Sequence, residues 1–181
     1  TDLAMMQIQE SEPAYLELKE IQHVAAHAGS LAKQLLLFSR KHPMEFGALS
    51  YNEVIENLHK MLMRIIGEDI EVEPHLEKDL WMIWADRGTL EQVLMNLVIN
   101  AKDAMEEGGT ITIKTEKRDD DWIQIRFSDT GCGIPEENLA NIFKPLFTTK
   151  EEGKGTGLGL SVSRDIIDRH QGTMDVESAA G

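Results

Sequence analysis

Residues 150–164 read KEEGKGTGLGLSVSR, with glycines at alternate positions from 153 to 159 and an amphipathic pattern directly after them. Glycines let backbone N–H groups approach an anion, and the N-terminus of a following helix carries partial positive charge. The stretch therefore predicts a phosphate-binding segment that leads into a helix. It differs from a Walker loop, which ends in Gly-Lys-Ser/Thr, and from a dinucleotide fingerprint, which follows a strand immediately.

The charge of the chain limits its partners. The 181 residues carry a formal net charge of −14 and a pI of about 4.8, which argues against nucleic acids and anionic membranes because both require a basic face. An acidic protein that binds a polyphosphate also needs a cation or local basic side chains. Cys132 is the only cysteine, and no apolar run reaches the roughly 18 residues of a membrane helix. We therefore expect a cytoplasmic region without a disulfide or a membrane segment.

The first 42 residues have the pattern of a partial helical hairpin. A short helical run precedes Pro13, and a long helix is expected over residues 14–42, where Pro43 ends it. The apolar residues on one face of this helix form a heptad seam, in which successive residues are 3, 4, 3, 4 and 3 positions apart: Ile21, Val24, Ala28, Leu31, Leu35 and Phe38. Two such hairpins can pair as a four-helix dimer, whereas a single amphipathic helix docked on its own domain is the alternative. Residues 43–52 then form a linker to a domain of residues 53–181.

The part of the chain after the linker mixes helical and strand patterns. Ser50 and Glu53 form a capping box for the first helix, Gly67 ends it, and Asp86 can cap the next one. Helical patterns cover residues 50–66, 88–105, a short run after Pro135, and 157–172. Strand patterns cover residues 69–76, 79–86, 110–117, 122–129 and 173–178. The order predicts an α/β fold, a two-layer sandwich of a mixed, mostly antiparallel sheet against helices.

Two asparagines stand four residues apart in the helix expected at 88–105. Asn96 and Asn100 therefore share one face of that helix, beside its apolar stripe. They are explained either as surface residues or as amides that tie down a loop. The functional explanation is that a carboxamide oxygen supplies a neutral ligand to Mg²⁺, which prefers oxygen ligands and borrows substrate phosphates. Such a metal would also resolve the charge problem, because it would accompany the nucleotide into an acidic protein.

The segment DTGCGIP, residues 129–135, directly follows the strand expected at 122–129. Asp129 stands at the end of that strand, and Gly131 and Gly133 would let the backbone pass close to a flat ring. A buried carboxylate at this place can accept a hydrogen bond from an exocyclic amine such as that of adenine. A plain Asp-Thr-Gly turn explains the same residues equally well.

The segment IFKPLFTTKEEGKGTGLGL, residues 142–160, is first aromatic, then basic, then rich in glycine. It is too long for a tight turn and too polar for a core, so it predicts a lid over a ligand. Lys150 and Lys154 are candidate phosphate partners. Gly155, Gly157 and Gly159 would bring N–H groups and a helix N-terminus to the phosphates.

Taken in order, four blocks resemble the N, G1, F and G2 boxes of sensor histidine kinases: NLVINAKDAM, DTGCGI, IFKPLFTTK and GKGTGLGL. LLLFSRK, residues 35–41, also resembles the end of the second helix of their dimerisation domain. That family shares the Bergerat ATP-binding sandwich with the gyrase and heat-shock ATPases. The resemblance implies a homodimeric protein-histidine kinase that uses ATP and Mg²⁺. Its phosphorylated histidine would pass the group to an aspartate of a response-regulator receiver domain.

The resemblance also implies roles for individual residues. Asn100 would bind Mg²⁺, Asn96 would face the phosphates, and Asp129 would bind the adenine amino group. Gly131 and Gly133 would flank the base. The lid anchors and the residues around the triphosphate would be Phe143, Phe147, Lys150, Lys154, Gly155, Thr156, Gly157 and Gly159. Further nucleotide contacts would come from Asp103, Ile134, Thr148 and Leu158.

Two comparisons with the family pattern bear on the reaction. Hydrolytic relatives carry a Glu four residues before the metal-binding Asn, where this chain has Asn96, which cannot act as a base. This favours phosphoryl transfer, and leaves a conformational ATPase, a nucleotide-sensing scaffold and a serine kinase as alternatives. No residue matches the H-[DE] stretch of the phosphoacceptor, so the resemblance implies an acceptor upstream of these residues. We therefore expect a fragment truncated at both ends that binds ATP without phosphorylating itself.

Overall fold

The structure is a computed structural model that describes residues 44–118, 121–150 and 155–179, together with Ala14, Tyr15 and Leu18, which are helical. The remainder of the predicted hairpin, including its heptad seam, lies outside the described residues. Residues 44–148 and 157–179 belong to one compact unit, whereas the described residues 149, 150, 155 and 156 belong to a second. The larger unit contains both sheets and the helices between residues 51 and 169.

The elements of this unit alternate along the chain much as the sequence predicts. In order they are β1 Gly47–Leu49, α1 Tyr51–Ile66, β2 Ile70–His75, β3 Ile83–Ala85, α2 Arg87–Ala104, β4 Gly109–Arg118, β5 Trp122–Asp129, α3 Glu136–Leu139 and α4 Gly159–Arg169. No helix of the described residues has both the length and the apolar character that are needed to cross a bilayer.

The strands form two small sheets. In the larger one the order is β2-β4-β5, with β2 parallel to β4 and β4 antiparallel to β5. Its register places Ile70 opposite Gly109, and Ile111 opposite Asp129. The smaller sheet pairs β1 with β3 in antiparallel orientation. The predicted mixed, mostly antiparallel sheet is therefore confirmed.

One face of the larger sheet carries the core. Along β4 the side chains of Ile111, Ile113 and Thr115 are buried while Lys114 is exposed, which is the alternation expected of a sheet covered on one side. The isoleucines join one apolar cluster with residues of α1, α2 and α4. The larger unit therefore forms two layers, as the pattern predicts, and α2 and α4 lie together in its helical layer.

Side-chain caps set where the two long helices begin. The Oγ of Ser50 accepts a hydrogen bond from the N–H of Glu53 at 3.4 Å, and α1 starts at the next residue. The Oδ1 of Asp86 accepts from the N–H of Thr89 at 2.8 Å, and α2 starts after it. Both predicted caps are confirmed, because each satisfies backbone donors that have no partner within the helix.

The strands differ from the sequence pattern at two places. Within the predicted linker, Gly47–Leu49 form β1 and pair with β3, although the short run gave no period-two signal. Residues 173–178 are irregular instead of a final strand. Among the described residues no strand pairs with them, so their backbone groups do not form the hydrogen-bond ladder of a sheet. A side-chain hydrogen bond holds this segment to the unit: the N–H of Ile134 donates to the Oγ of Ser178 at 2.9 Å.

Asp86 does more than cap α2. Its carboxylate also accepts the N–H of Glu45 at 2.7 Å, and its own N–H donates to the Nε2 of His170 at 3.0 Å. Partial burial raises the pKa of the Asp86 carboxyl, but the hydrogen bonds from Thr89 and Glu45 and the nearby His170 outweigh that effect and leave the pKa below its ordinary value. The residue thus joins the start of α2 to the segment just before β1 and to the end of α4.

Replacing Asp86 with Ala is expected to lower the free energy of unfolding by about 1–2 kcal/mol at pH 7, because a cap and a second backbone contact are lost. Since folding lowers this pKa, the stabilisation is complete above the unfolded value and disappears as the pH falls through the folded one, below about pH 4. Urea unfolding at pH 7 and pH 3 measures both effects. Asp79→Ala, in an exposed turn, is the control and should change stability by less than about 0.5 kcal/mol. Equal losses at the two pH values would contradict the assignment.

Candidate nucleotide-binding site

The two asparagines of α2 lie beside the first residue of α4. The Nδ2 of Asn96 donates to the carbonyl oxygen of Gly159 at 3.1 Å and to the Oγ of Ser163 at 3.1 Å. A Cβ built on Gly159 would stand 3.8 Å from the Nδ2 of Asn100. The structure therefore brings together Asn96, Asn100 and Gly159, which come from two separate sequence motifs. It also shows that Asn96 ties down the start of α4, which was one of the two simpler explanations.

Asp129 ends β5, as predicted, but it is not the buried carboxylate that the sequence led us to expect. The residue is exposed, and its Oδ1 accepts the N–H of Gly131 at 3.0 Å. The physical reason is the strand order: β5 is the outer strand of the β2-β4-β5 sheet, so only one of its edges is covered by a neighbouring strand. The carboxylate is accordingly open to a hydrogen-bond donor from outside the chain.

Gly131, the first glycine after Asp129, has no room for a side chain because the end of α2 packs against it. A Cβ on Gly131 would lie 2.7 Å from the Cβ of Ala104 and 2.8 Å from its carbonyl oxygen. That oxygen also accepts the N–H of Cys132 at 3.0 Å. The end of α2 and the loop after β5 are thus held in direct backbone contact. Gly133, two residues on, has a φ of 71°.

The aromatic part of the expected lid packs on α4. Phe143 is half-buried, and the guanidinium carbon of Arg164 lies 4.6 Å from the centre of its ring, a cation–π contact. Phe147 is also half-buried and Thr148 is exposed. Position 157 abuts the same stretch, because a Cβ on Gly157 would lie 2.4 Å from the carbonyl carbon of Leu146. The backbones at residues 146–147 and at residue 157 of the expected lid are therefore in direct contact.

The other predicted residues lie in the second unit, outside the described residues, or elsewhere on the larger unit. Lys150, Gly155 and Thr156 belong to the second unit, and Lys154 lies outside the described residues. Asp103 is exposed in the last turn of α2. Leu158 is 6% exposed and so contributes to the apolar interior.

Two residues of α4 were not predicted from the sequence. Ser163 is fully buried and accepts the hydrogen bond from Asn96, and Arg164 stacks on Phe143. The signal that could have revealed Ser163 is its position four residues after Gly159, which places a small polar side chain on the inward face of the helix. Arg164 gave no signal, because charged residues are common on the outer face of a helix.

The oxygen atoms that this site offers to a metal ion belong to amides and not to a cluster of carboxylates. Among the described residues there is no group of three or more His, Cys, Asp or Glu side chains that could hold a metal ion. The amide of Asn100 is a hard, neutral oxygen donor of the kind that Mg²⁺ accepts together with phosphate oxygens and water. The donor chemistry therefore fits a magnesium ion that arrives with a nucleotide.

Comparison with known proteins gives a consistent result. Residues 85–181 match the family described as histidine kinase-, DNA gyrase B-, and HSP90-like ATPase. The chain is 40% identical over its whole length to the sensor kinase CckA of Brucella abortus, strain 2308. It is 38% identical, over 96% of its length, to the signal transduction histidine-protein kinase AtoS of Escherichia coli, strain K12. These alignments cover 21% and 28% of the two relatives, so the chain spans under a third of either.

Solved structures agree with the sequence matches. The catalytic domain of histidine kinase ThkA, in a nucleotide-free form, is 36% identical, with a TM-score of 0.60 over 70% of this chain and 82% of that one. ThkA in complex with the response regulator protein TrrA gives a TM-score of 0.69 at 28% identity, over 94% of this chain and 49% of that one. The chain therefore belongs to the family of histidine kinase-, DNA gyrase B- and HSP90-like ATPases, as the ATP-binding catalytic domain of a sensor histidine kinase.

Proposed function

We propose that this chain binds ATP together with Mg²⁺ and delivers the γ-phosphoryl group to a histidine of a dimerisation domain. The observation that carries the proposal is the convergence of Asn96 and Asn100 on Gly159, which joins the N box to the glycine-rich segment. Relatives of the chain that are named as histidine kinases supply the acceptor chemistry. Positioning and charge neutralisation are what phosphoryl transfer mainly requires of an enzyme.

The nucleotide would be held by residues from three elements. Asp129, exposed at the end of β5, would accept a hydrogen bond from the adenine amino group. Gly131 and Gly133 would leave room for the base, with Ile134 beside them. Asn100 would bind the magnesium ion, which neutralises phosphate charge when it is bound. The other proposed contacts are Asn96, Asp103, Phe143, Phe147, Thr148, Lys150, Lys154, Gly155, Thr156, Gly157, Leu158 and Gly159.

Phosphoryl transfer is preferred over hydrolysis because of Asn96. A hydrolytic enzyme needs a base at this position to activate water, and a carboxamide cannot serve as one. Its nitrogen is, moreover, already occupied by two hydrogen bonds to α4. We therefore assign Asn96 to holding the site together, and we expect slow hydrolysis of ATP.

The proposal extends to the wider assembly. We propose that residues 1–42 form part of a dimerisation hairpin, that residues 43–52 lead into the catalytic domain of residues 53–181, and that the intact protein is a homodimer. ThkA was solved with a response regulator, which suggests a receiver domain as the partner here. We place this region in the cytoplasm, where a receiver domain would meet it.

The reaction is tested with γ-labelled ATP and Mg²⁺. The 181-residue chain alone is expected to gain no stable label, because none of its residues matches the acceptor stretch. A version extended upstream along its gene is expected to gain label that is labile in acid and stable in alkali, the behaviour of phosphohistidine. Acid-stable label would instead indicate a serine or threonine kinase, and release of free phosphate alone would indicate an ATPase.

Replacing Asn100 with Ala is expected to remove most of the gain in ADP affinity that Mg²⁺ provides, because a direct oxygen ligand of the ion is lost. Isothermal titration with ADP, in Mg²⁺ and in EDTA, measures that gain as a ratio of two dissociation constants. Asn138→Ala, on the short helix α3, removes an amide elsewhere and should leave the ratio unchanged. An unchanged ratio in Asn100→Ala would remove this residue from the metal site.

A further inference from the structure

We propose that Ser163 is a positioning residue, whose buried hydroxyl orients the amide of Asn96 so that its oxygen faces the nucleotide site. The inference rests on the proposed function and adds to it a residue that none of the four boxes contains. Ser163 lies on α4, is 0% exposed, and is one of two buried polar side chains in the core of the described unit. A fully buried hydroxyl has to be satisfied by partners within the protein.

The partners of Ser163 fix the direction of its hydroxyl. The Oγ donates to the carbonyl oxygen of Gly159 at 2.9 Å, one turn earlier on the same helix. Because the single hydrogen of the hydroxyl is used there, the oxygen can only accept at its second contact, with Asn96 at 3.1 Å. The atom of Asn96 that faces Ser163 must therefore carry hydrogens, which identifies it as the nitrogen.

Gly159 fixes the same orientation independently. Its carbonyl oxygen can only accept, and the amide of Asn96 contacts it at 3.1 Å, so the nitrogen must face this atom too. A carboxamide has two N–H donors, and both are now directed to α4. Two separate acceptors thus hold one amide in one orientation, and reversing it would place oxygen against oxygen at both contacts.

The consequence concerns the chemistry that Asn96 can offer. With both donors used, no N–H of this side chain remains for a phosphate oxygen. The remaining atom is the carbonyl oxygen, which suits a cation or a water molecule bound to one. Asn96 would then act on the metal side of a metal–nucleotide complex, next to Asn100, and Ser163 would be the side chain that, together with the carbonyl oxygen of Gly159, holds the amide in this orientation.

The test compares three serine variants of the 181-residue chain by titration with ADP, in Mg²⁺ and in EDTA. Ser163→Ala removes the acceptor, so the gain in affinity from Mg²⁺ should fall severalfold, up to about tenfold, while affinity in EDTA changes little. Ser163→Thr retains the hydroxyl and should restore the gain. Ser161→Ala is the matched control, because Ser161 lies on the same helix and its hydroxyl donates to the carbonyl oxygen of Leu158 at 2.9 Å, at the start of α4.

Each outcome separates the inference from its alternatives. If Ser163→Ala lowers the affinity equally in Mg²⁺ and in EDTA, or leaves both unchanged, Ser163 only stabilises the helix and the proposal is wrong. If Ser163→Ala does not fold, Ser163→Cys preserves the volume with much weaker hydrogen bonding, and the same loss of ratio is expected. If the unmodified chain binds no ADP under either condition, the proposed function itself fails.

Discussion

Replacing Asp129 with Asn is expected to lower ATP affinity about 100-fold while leaving the fold intact. The change removes a charge-assisted hydrogen bond to the adenine amino group. It also places the NH₂ group of the Asn amide against the NH₂ group of adenine, where neither can accept. Together these effects should cost about 2–3 kcal/mol of binding free energy. The fold should tolerate it, because Asp129 is exposed and the amide oxygen of Asn can still accept the N–H of Gly131. Titration with ATP and thermal unfolding measure the two halves of this expectation.

The control for Asp129→Asn is Glu136→Gln, which changes the net charge equally at an exposed carboxylate in α3. It should leave ATP affinity within about twofold, since long-range effects of exposed charges are screened at physiological salt. Titration with GTP adds a second criterion, because guanine lacks the amino group at the matching position. If Asp129→Asn leaves ATP affinity unchanged, the base contact lies elsewhere.

Local signals in the sequence predicted much of this fold. The caps at Ser50 and Asp86 were visible because one side chain satisfies backbone donors only a few residues away. The strand β4 was visible because its side chains alternate between buried and more exposed positions, and β5 because apolar and polar residues alternate along most of its sequence. Features that depend on neighbours close in the chain can therefore be predicted from the amino-acid pattern alone.

Features that depend on distant partners could not be predicted in this way. β1 has three residues, and only its pairing with β3, more than 30 positions later, makes it a strand. Residues 173–178 alternate but remain irregular because a pattern alone cannot supply a ladder. The spacing of Asn96 and Asn100 predicted a shared helix face. It could not predict that Ser163 and Gly159, on another helix, would take both donors of Asn96.

Two glycines of the same box differ in what the structure requires of them. Gly157 has a φ of 65°, and a Cβ there would lie 2.4 Å from the carbonyl carbon of Leu146 and 2.7 Å from the nitrogen of Phe147. Both neighbours are backbone atoms, so they cannot move aside as a side-chain end would. At Gly159 the nearest atoms to a Cβ belong to Asn96 and Asn100 at 3.8 Å, which is ordinary contact.

Gly157→Ala is accordingly expected to lower the free energy of unfolding by about 2–3 kcal/mol, from the left-handed conformation and the collision together. Gly159→Ala, at the first position of α4, should leave stability unchanged or raise it by up to about 0.5 kcal/mol, since alanine favours a helix. Urea unfolding of both variants, with ADP titration beside it, tests the pair. The glycine-rich segment contacts the backbone of residues 146 and 147 at position 157, where it has no side chain. A methyl group at this position would move the segment away from its place, so Gly157→Ala should also weaken ADP binding. Similar stability losses in the two variants would mean that the box needs glycine at both positions for the same reason, contrary to the geometry at Gly159.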